Sequence, residues 1–519
     1  MTVGAGSRND RAMTSDAAAS DDLTAILDAA PDPVPDEGRR AEIRRLRLAQ
    51  GRRTVALDDD PTGSQSVSGV EVVTVLERGE YAAALAEPGA TAFLLTNSRS
   101  LARNVAMTLN ERLGTGLFTL AAEGGWPLDL VSRSDSTLRG HILTEVTALD
   151  RARREVTGSG FDGVLLVPAY LEAGRFTAGD VHWAMVGGQP VPVGETEFAR
   201  DRTFGYRASD LKDLLAELSA GELAGDRVRS LSLELIRGGG PAAVADELRA
   251  AVGTAGEAGP TWFVVNATDY ADLETVALAQ QQVQADGASF LARSGPSYVR
   301  ALSGIEPRGV LTPADIWPEG RRDDGHGLLV VGSHVGMTTR QLDRARARGR
   351  LVEVELSVPE LLGKEAETHL ASTVSVVKRS LAHSDVLLLT SRELVAVDDP
   401  EDSLAIARKV SQAIVDVVKQ VRDVRPAWVV AKGGITSHDV AVRGLGIRRG
   451  LVLGQLFEGM VSVLRVLDAP PEVVGVPYVV FAGNVGDEYA LAQVLDRFAA
   501  ERPDPGPAAG NATEQGDAR

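Results

Sequence analysis

The residues best suited to chemistry fall into two sets of different character. The first opens with three consecutive carboxylates, Asp58-Asp59-Asp60, which lead into Pro61-Thr62-Gly63-Ser64 directly after the strand-like run Thr54–Leu57. Neighbouring carboxylates repel one another, and strand C-terminal ends in open α/β sheets are where ligands sit, so the run suits a reacting site. A solvated Asp-Pro turn is the competing reading, because Asp, Pro, Thr and Gly all favour turns. Three more polar loops repeat the strand-then-loop pattern: Asn97-Ser98-Arg99-Ser100 after Ala92–Thr96, Ser132–His141 after Leu128–Val131, and Pro168–Thr177 closing the β-run Gly163–Pro168. Each sets arginine among hydroxyl groups. The planar guanidinium suits a carboxylate, and hydroxyl side chains suit a polyol. One such arginine is usually solvated or paired locally; the recurrence within one half of the chain points to a small hydroxylated anion.

The second set is glycine-rich and lies in the C-terminal half: Gly332-Ser333-His334-Val335-Gly336, then Lys432-Gly433-Gly434-Ile435-Thr436, then Gly483-Asn484-Val485-Gly486. Each follows an apolar strand-like run and precedes a segment of helical pattern. In that arrangement glycines let backbone N–H groups approach phosphate oxygens. Neither a Walker A nor a GxGxxG pattern occurs, so phosphate binding rests on the three loops together. The seven histidines show no metal-ligand spacing, and His182, His326, His369 and His383 read as ordinary surface or core residues.

The elements that must position these loops alternate between β-branched runs and amphipathic stretches. Further strands are expected at Trp262–Asn266, Gly327–Gly332, Val386–Thr390 and Trp428–Ala431, and helices at Ala271–Gln284 and Pro400–Val421. The alternation predicts an α/β fold of two domains, each a largely parallel sheet flanked by helices. Prolines and charged turn residues gather over 306–325, where a linker is expected between a domain at 37–305 and another at 326–500. Residues 1–36 and 501–519 read as tails.

With 519 residues there is material for two cores. A formal charge of −18 at pH 7 argues against nucleic acid as a partner. The absence of cysteine excludes thiolate nucleophiles, thiolate metal sites and disulfides. No apolar stretch is long enough to span a bilayer and no secretory leader is evident, so no membrane is expected and a cytoplasmic location is. The composition leaves room for a homodimer.

These motifs resemble the four-carbon acid sugar kinases, over roughly Thr54 to Arg497. The family's Asp-Asp-x-Thr-Gly looks like Asp59–Gly63, its Asp-Ser-Thr-Leu-Arg-Gly is matched residue for residue at Asp135–Gly140, and its Glu-Ala-Gly-Arg at Glu172–Arg175. In the second half the Gly-Ser with Thr-x-x-Gln resembles Gly332-Ser333 with Thr338 and Gln341. The Gly-Gly-x-Thr and Gly-Asn-x-Gly loops resemble Gly433–Thr436 and Gly483–Gly486.

The resemblance implies an N-terminal sugar-acid domain, a C-terminal nucleotide domain, and ATP with Mg2+ as cofactors. Asp59 or Asp60 would orient the acceptor hydroxyl, and Arg139 or Arg175 would grip the substrate carboxylate. Asn97, Arg99, Asp135, Ser136 and Thr137 complete the candidate substrate site. Ser333, Gly433, Gly434, Ile435, Thr436 and Gly483 would contact ATP; no spacing identifies a metal ligand. Asp58, Pro61 and Ser64 depart from the common Ala, Phe and Ala, which suggests a divergent subgroup near the 3-oxo-isoapionate kinases. The acceptor could be a threonate, an erythronate, a 3-oxo-tetronate or a 3-oxo-isoapionate. Two other classes compete: an NAD-dependent oxidoreductase, which predicts a GxGxxG that is not found, and a non-catalytic sugar-acid sensor, which leaves the glycine loops without a role.

Overall fold

The computed structural model describes residues 22–60, 64–254, 259–318, 325–332, 335–391, 400–483 and 485–498, with side chains of 400–404 set aside. Ser333 and most of the Asp-Pro-Thr-Gly turn therefore lie outside the described residues, as do Asn484, part of the expected linker and most of both expected tails.

In the N-terminal half the strands are β1 (Arg53–Asp58), β2 (Glu71–Val73), β3 (Thr91–Leu95), β4 (Leu128–Arg133), β5 (Gly163–Val167), β6 (Arg175–Ala178), β7 (Val181–Val186), β8 (Gln189–Pro192), β9 (Val228–Leu231), β10 (Thr261–Val265) and β11 (Phe290–Ser294). The C-terminal half adds β12 (Leu328–Val331), β13 (Leu351–Leu356), β14 (Asp385–Thr390), β15 (Val429–Lys432), β16 (Arg449–Phe457), β17 (Met460–Asp468) and β18 (Pro477–Phe481). Strands β1, β5, β12 and β15 are buried along their whole length, which explains the apolar character of β5, β12 and the middles of β1 and β15: a parallel strand covered by helices on both faces has no polar side.

Both expected parallel blocks are present, in the orders β2-β3-β1-β4-β11-β5-β10-β9 and β13-β14-β12-β15-β18. They are joined. The hairpin β16–β17 pairs antiparallel to β18 on one side and to β2 on the other, so one 15-stranded sheet runs through the molecule. The expected helices form at Tyr270–Ala285, closed by a capping box between Asp269 and Asp272, and at Pro400–Val421. Residues of the expected linker pack against the second half: Leu311 is buried, and its N–H donates to the Gln455 carbonyl at 2.9 Å. Strands β6 to β8 form a separate antiparallel sheet. No helix among the described residues is long and apolar enough to cross a membrane.

Because β16 and β2 run antiparallel, the two blocks point in opposite directions in a flat drawing. Twist corrects this. Six strand-to-strand steps separate β1 from β15 in the sheet order, and at about 20° each they rotate one block by roughly 120° relative to the other. A cavity lined by Gln65 and Tyr170 from the first half and by Ser462, Ala482 and Val485 from the second shows the outcome: loops from both halves face one space.

Candidate active site

The N-terminal site is assembled from side chains on the loops after β1, β3, β4 and β5. Asp58 is fully buried, accepts from Arg133 Nη1 at 2.9 Å, and accepts the Asp60 backbone N–H at 3.0 Å, which fixes the turn that aims Asp59 and Asp60. Burial pushes the Asp58 carboxyl up to about 6 against the pull of Arg133 and Arg99. Asp59 is also buried, yet among the described residues neither of its carboxylate oxygens has a hydrogen-bond partner. Burial raises its pKa to about 7, with Arg99, Arg293 and Arg133 pulling the other way and Glu145 adding to the rise. A buried carboxylate without donors is costly and rare, so the position is suited to a proton acceptor. Asp60 is half-buried and ion-paired with Arg99.

Arg99 lies between Asp60 and Asp135, its Nη1 3.6 Å from the Asp135 carboxylate. Asp135 accepts from Arg139 Nε at 2.7 Å and from the Thr137 hydroxyl. Burial pushes the Asp135 carboxyl up, but Arg99, Arg139 and Thr137 outweigh it and leave it below its ordinary value. Arg139 and Arg175 both lie over the Phe198 ring, at 5.3 and 5.6 Å. Their surroundings differ. Arg139 is committed to Asp135 and approaches Asp201, whereas Arg175 has a buried Nε with no partner and forms no ion pair among the described residues. Asn97 adopts a left-handed conformation and its backbone N–H donates to Asp58 O at 3.2 Å, so this residue shapes the β1–β3 rim.

Several residues that hold these groups carried little signal in the sequence. The neutral ring of His182, read above as an ordinary residue, is fully buried; its Nε2 bonds the Ser136 carbonyl at 2.8 Å and its Nδ1 the Thr177 hydroxyl at 3.0 Å. Burial lowers its pKa to about 4. Tyr206 donates to the Thr137 carbonyl at 2.7 Å, so the Asp135–Gly140 loop is held from behind at two successive carbonyls. Glu145 accepts from Ser98 at 2.6 Å and Ser132 at 2.9 Å and pairs with the buried Arg293. An arginine inside the apolar run Phe290–Ser294 was the only hint of that pair. Gly140 has φ +128°, and a Cβ there would come within 3.0 Å of the Asp59 carboxylate. Glycine is required at this point.

The C-terminal site is built from backbone. Gly433 has φ +117°, and its N–H donates to the Phe481 carbonyl at 2.8 Å, tying the β15 loop to the end of β18. Gly434, Ile435 and Thr436 form the first turn of the helix Gly434–Asp439, where backbone N–H groups have no intrahelical acceptor. The conformational demand for glycine therefore falls on Gly433. Gly434 has no left-handed φ, and open space surrounds its missing Cβ. The Ile435 side chain is 78% exposed. Gly483 is held by the Thr338 hydroxyl, which donates to its carbonyl at 3.1 Å; Gln341 Nε2 donates to Val485 O at 3.0 Å and Asp487 O at 2.7 Å. The Thr338/Gln341 pair thus fastens the third glycine loop to the helix that follows the first. Lys432, at the end of β15, is completely buried; its Nζ donates to Ala482 O at 2.7 Å and lies 3.7 Å from the centre of the Phe481 ring. Loops of the two halves touch beside the small cavity, where the Tyr170 hydroxyl donates to Gly459 O at 2.6 Å across the boundary.

Comparison with known proteins follows the same division. Residues 54–302 match the family described as the sugar-binding N-terminal domain, and residues 328–491 match the nucleotide-binding C-terminal domain. A D-threonate kinase of Salmonella typhimurium is 29% identical over 350 residues, which cover 66% of this chain and 72% of that protein. Two solved structures share the fold at 18% identity. A Salmonella typhimurium LT2 protein described as a candidate tRNA synthase has a TM-score of 0.62, covering 86% of this chain and 98% of its own. A Haemophilus influenzae protein has a TM-score of 0.58, covering 86% and 100%. With both domains matched in order along one chain and a D-threonate kinase among its relatives, this protein belongs to the four-carbon acid sugar kinase family.

Proposed function

We propose that this protein transfers the γ-phosphoryl group of ATP to a hydroxyl of a small sugar acid. The observation that carries the reading is Asp59, a buried carboxylate with no hydrogen-bond partner among the described residues, in a loop whose Gln65 lines a small cavity together with Tyr170 and with Ala482 and Val485, which flank the Gly483 turn. Phosphoryl transfer needs an acceptor hydroxyl held in line, a group to orient it or take its proton, and donors for the spreading charge. Asp59 takes the proton; Asp60, already engaged by Arg99, is the weaker candidate. Arg175 receives the sugar-acid carboxylate, because its fork is not committed to another anion as that of Arg139 is. Asp135, Ser136 and Thr137 line the polyol side. The backbone N–H groups of Gly434 to Thr436 cradle the phosphates, joined by the Gly483 loop.

Mg2+ would travel with ATP, on phosphate oxygens and water, and shield their charge. Among the described residues no group of three or more His, Asp or Glu gathers to hold a metal, so the ion is assigned no protein ligand set. The relative named as a D-threonate kinase makes D-threonate the first acceptor to try, followed by the erythronates, 3-oxo-tetronates and 3-oxo-isoapionate. Incubation with ATP, Mg2+ and that panel should release ADP only when an acceptor is present. Acceptor-independent ADP release, or NAD reduction in place of ADP release, would overturn the reading.

A further inference from the structure

Lys432 is a buried amine with no anionic partner among the described residues. Its register places it beside Val331 of β12 and Phe481 of β18, so it stands where the three glycine loops leave the sheet. The side chain is wholly buried, and its partners among the described residues are a carbonyl oxygen and an aromatic face. Burying an ammonium group without a counter-charge is strongly unfavourable, and one carbonyl satisfies only one of its three donors. The nearby titratable groups are otherwise engaged or do not reach it. Asp439 bonds Ser411 and Arg443, Asp385 holds the Gly327 N–H and faces His326, and neither His438 nor Asp487 forms a hydrogen bond or ion pair with it.

We propose that Lys432 is a phosphate-binding residue of the nucleotide site, its missing counter-charge being supplied by the polyphosphate of ATP. The inference rests on the kinase reading and extends it to a side chain in a site otherwise made of backbone. The Ala482 carbonyl holds the amine beside the Gly483 turn, and Ala482 itself lines the small cavity that Gln65 and Tyr170 of the first half also line. Burial alone lowers the amine's pKa to about 7, so in the free protein near neutrality a large share of the molecules carry it unprotonated. Arrival of a polyanion favours the charged form, and the amine then takes a proton from solvent.

The test is calorimetry of ADP binding at pH 7.5 in buffers of different ionisation enthalpy, on wild type, Lys432→Met and Lys432→Arg. Wild type should take up more protons on binding than either variant, by about half a proton or more for an amine titrating near 7. Lys432→Met should bind ADP ~10-fold or more weakly, with Lys432→Arg recovering part of that loss but not the proton uptake. Circular dichroism separates loss of binding from loss of folding; should Met unfold the domain, the proton count of a folded Arg variant decides. Equal proton uptake in wild type and the folded variants would overturn the inference. If wild type binds ADP and phosphorylates a sugar acid while Lys432→Met binds equally well, this inference fails and the kinase reading stands; if wild type binds no nucleotide, the kinase reading itself fails.

Discussion

The two halves solve different recognition problems with different materials. The proposed acceptor site is made of side chains: Asp60, Arg99, Asp135 and Arg139 form one linked polar cluster, Asp59 and Arg175 belong to the same loops without an ion pair among the described residues, and His182, Tyr206 and the Glu145–Arg293 pair hold these loops from behind. The proposed nucleotide site is mostly main chain, with Gly433 in a conformation other residues rarely adopt and, among the described residues, the buried Lys432 beside it. A small sugar acid offers few atoms, so its recognition needs directional side-chain groups at defined distances. A polyphosphate offers many equivalent oxygens, which backbone N–H groups meet without side-chain specificity. Substitutions in the first half should therefore act on chemistry or acceptor affinity one residue at a time, while those in the second should act through backbone conformation.

The largest expected effect is at Asp59. Asp59→Asn should lower kcat by ~10²- to 10⁴-fold, the range for losing a general base, and leave nucleotide affinity near wild type. In wild type, kcat/KM should rise as pH passes through about 7, since the base must be ionised. The same shift fixes the sign of the stability effect. A carboxyl whose folded pKa is raised contributes stability that is complete below its unfolded value near 4 and is lost as pH rises through about 7. Asn cannot ionise, so the inactive variant should gain thermal stability relative to wild type at pH 8 compared with pH 5. Melting curves at the two pH values check it, and a variant with wild-type turnover would break the assignment.

Next in size is a contrast inside the backbone-built site. Gly433→Val forces a branched residue into φ +117° and should cost about 1–3 kcal/mol in strain, read as a lower melting temperature and ~10- to 100-fold weaker ADP binding. Gly434→Ala meets open space and no left-handed φ, so it should melt near wild type and weaken ADP binding only where its methyl group crowds the ligand. Equal melting temperatures for both variants would refute the conformational distinction.

The smaller effect separates two arginines that the sequence could not rank. Arg175→Lys should raise KM for the sugar acid ~10-fold, because an ammonium cannot reproduce the bidentate fork, with ATP affinity unchanged. Arg139→Lys should change KM less and disturb the Asp135 loop more, seen in its melting temperature. Steady-state kinetics with each substrate varied in turn makes the comparison; the reverse order would assign the carboxylate to Arg139.

Much of this was legible in the sequence because strand-end loops are continuous segments. Asp135–Gly140 and Gly433–Thr436 could be read as units, and β1, β3, β5 and β15 announced themselves by short, mainly apolar runs. What escaped depends on contacts between distant segments. The choice of Asp59 over Asp60 needs the Arg99 pairing, and that of Arg175 over Arg139 needs the Asp135 contact. Glu145 and Arg293 are far apart in the chain and meet only after folding. The joined sheet was illegible for a related reason: the β16–β2 pairing links residues 449–451 to residues 71–73, and no local pattern encodes it.

The most direct measurement is a single turnover with ATP labelled at the γ-phosphate, Mg2+ and D-threonate or a related four-carbon acid, with protein in excess over ATP. The account predicts that the label appears as a phosphate ester of the sugar acid in wild type, and that almost none is transferred by Asp59→Asn although both ligands still bind. Label recovered only as inorganic phosphate, or transferred as fast by the Asn variant, would contradict it.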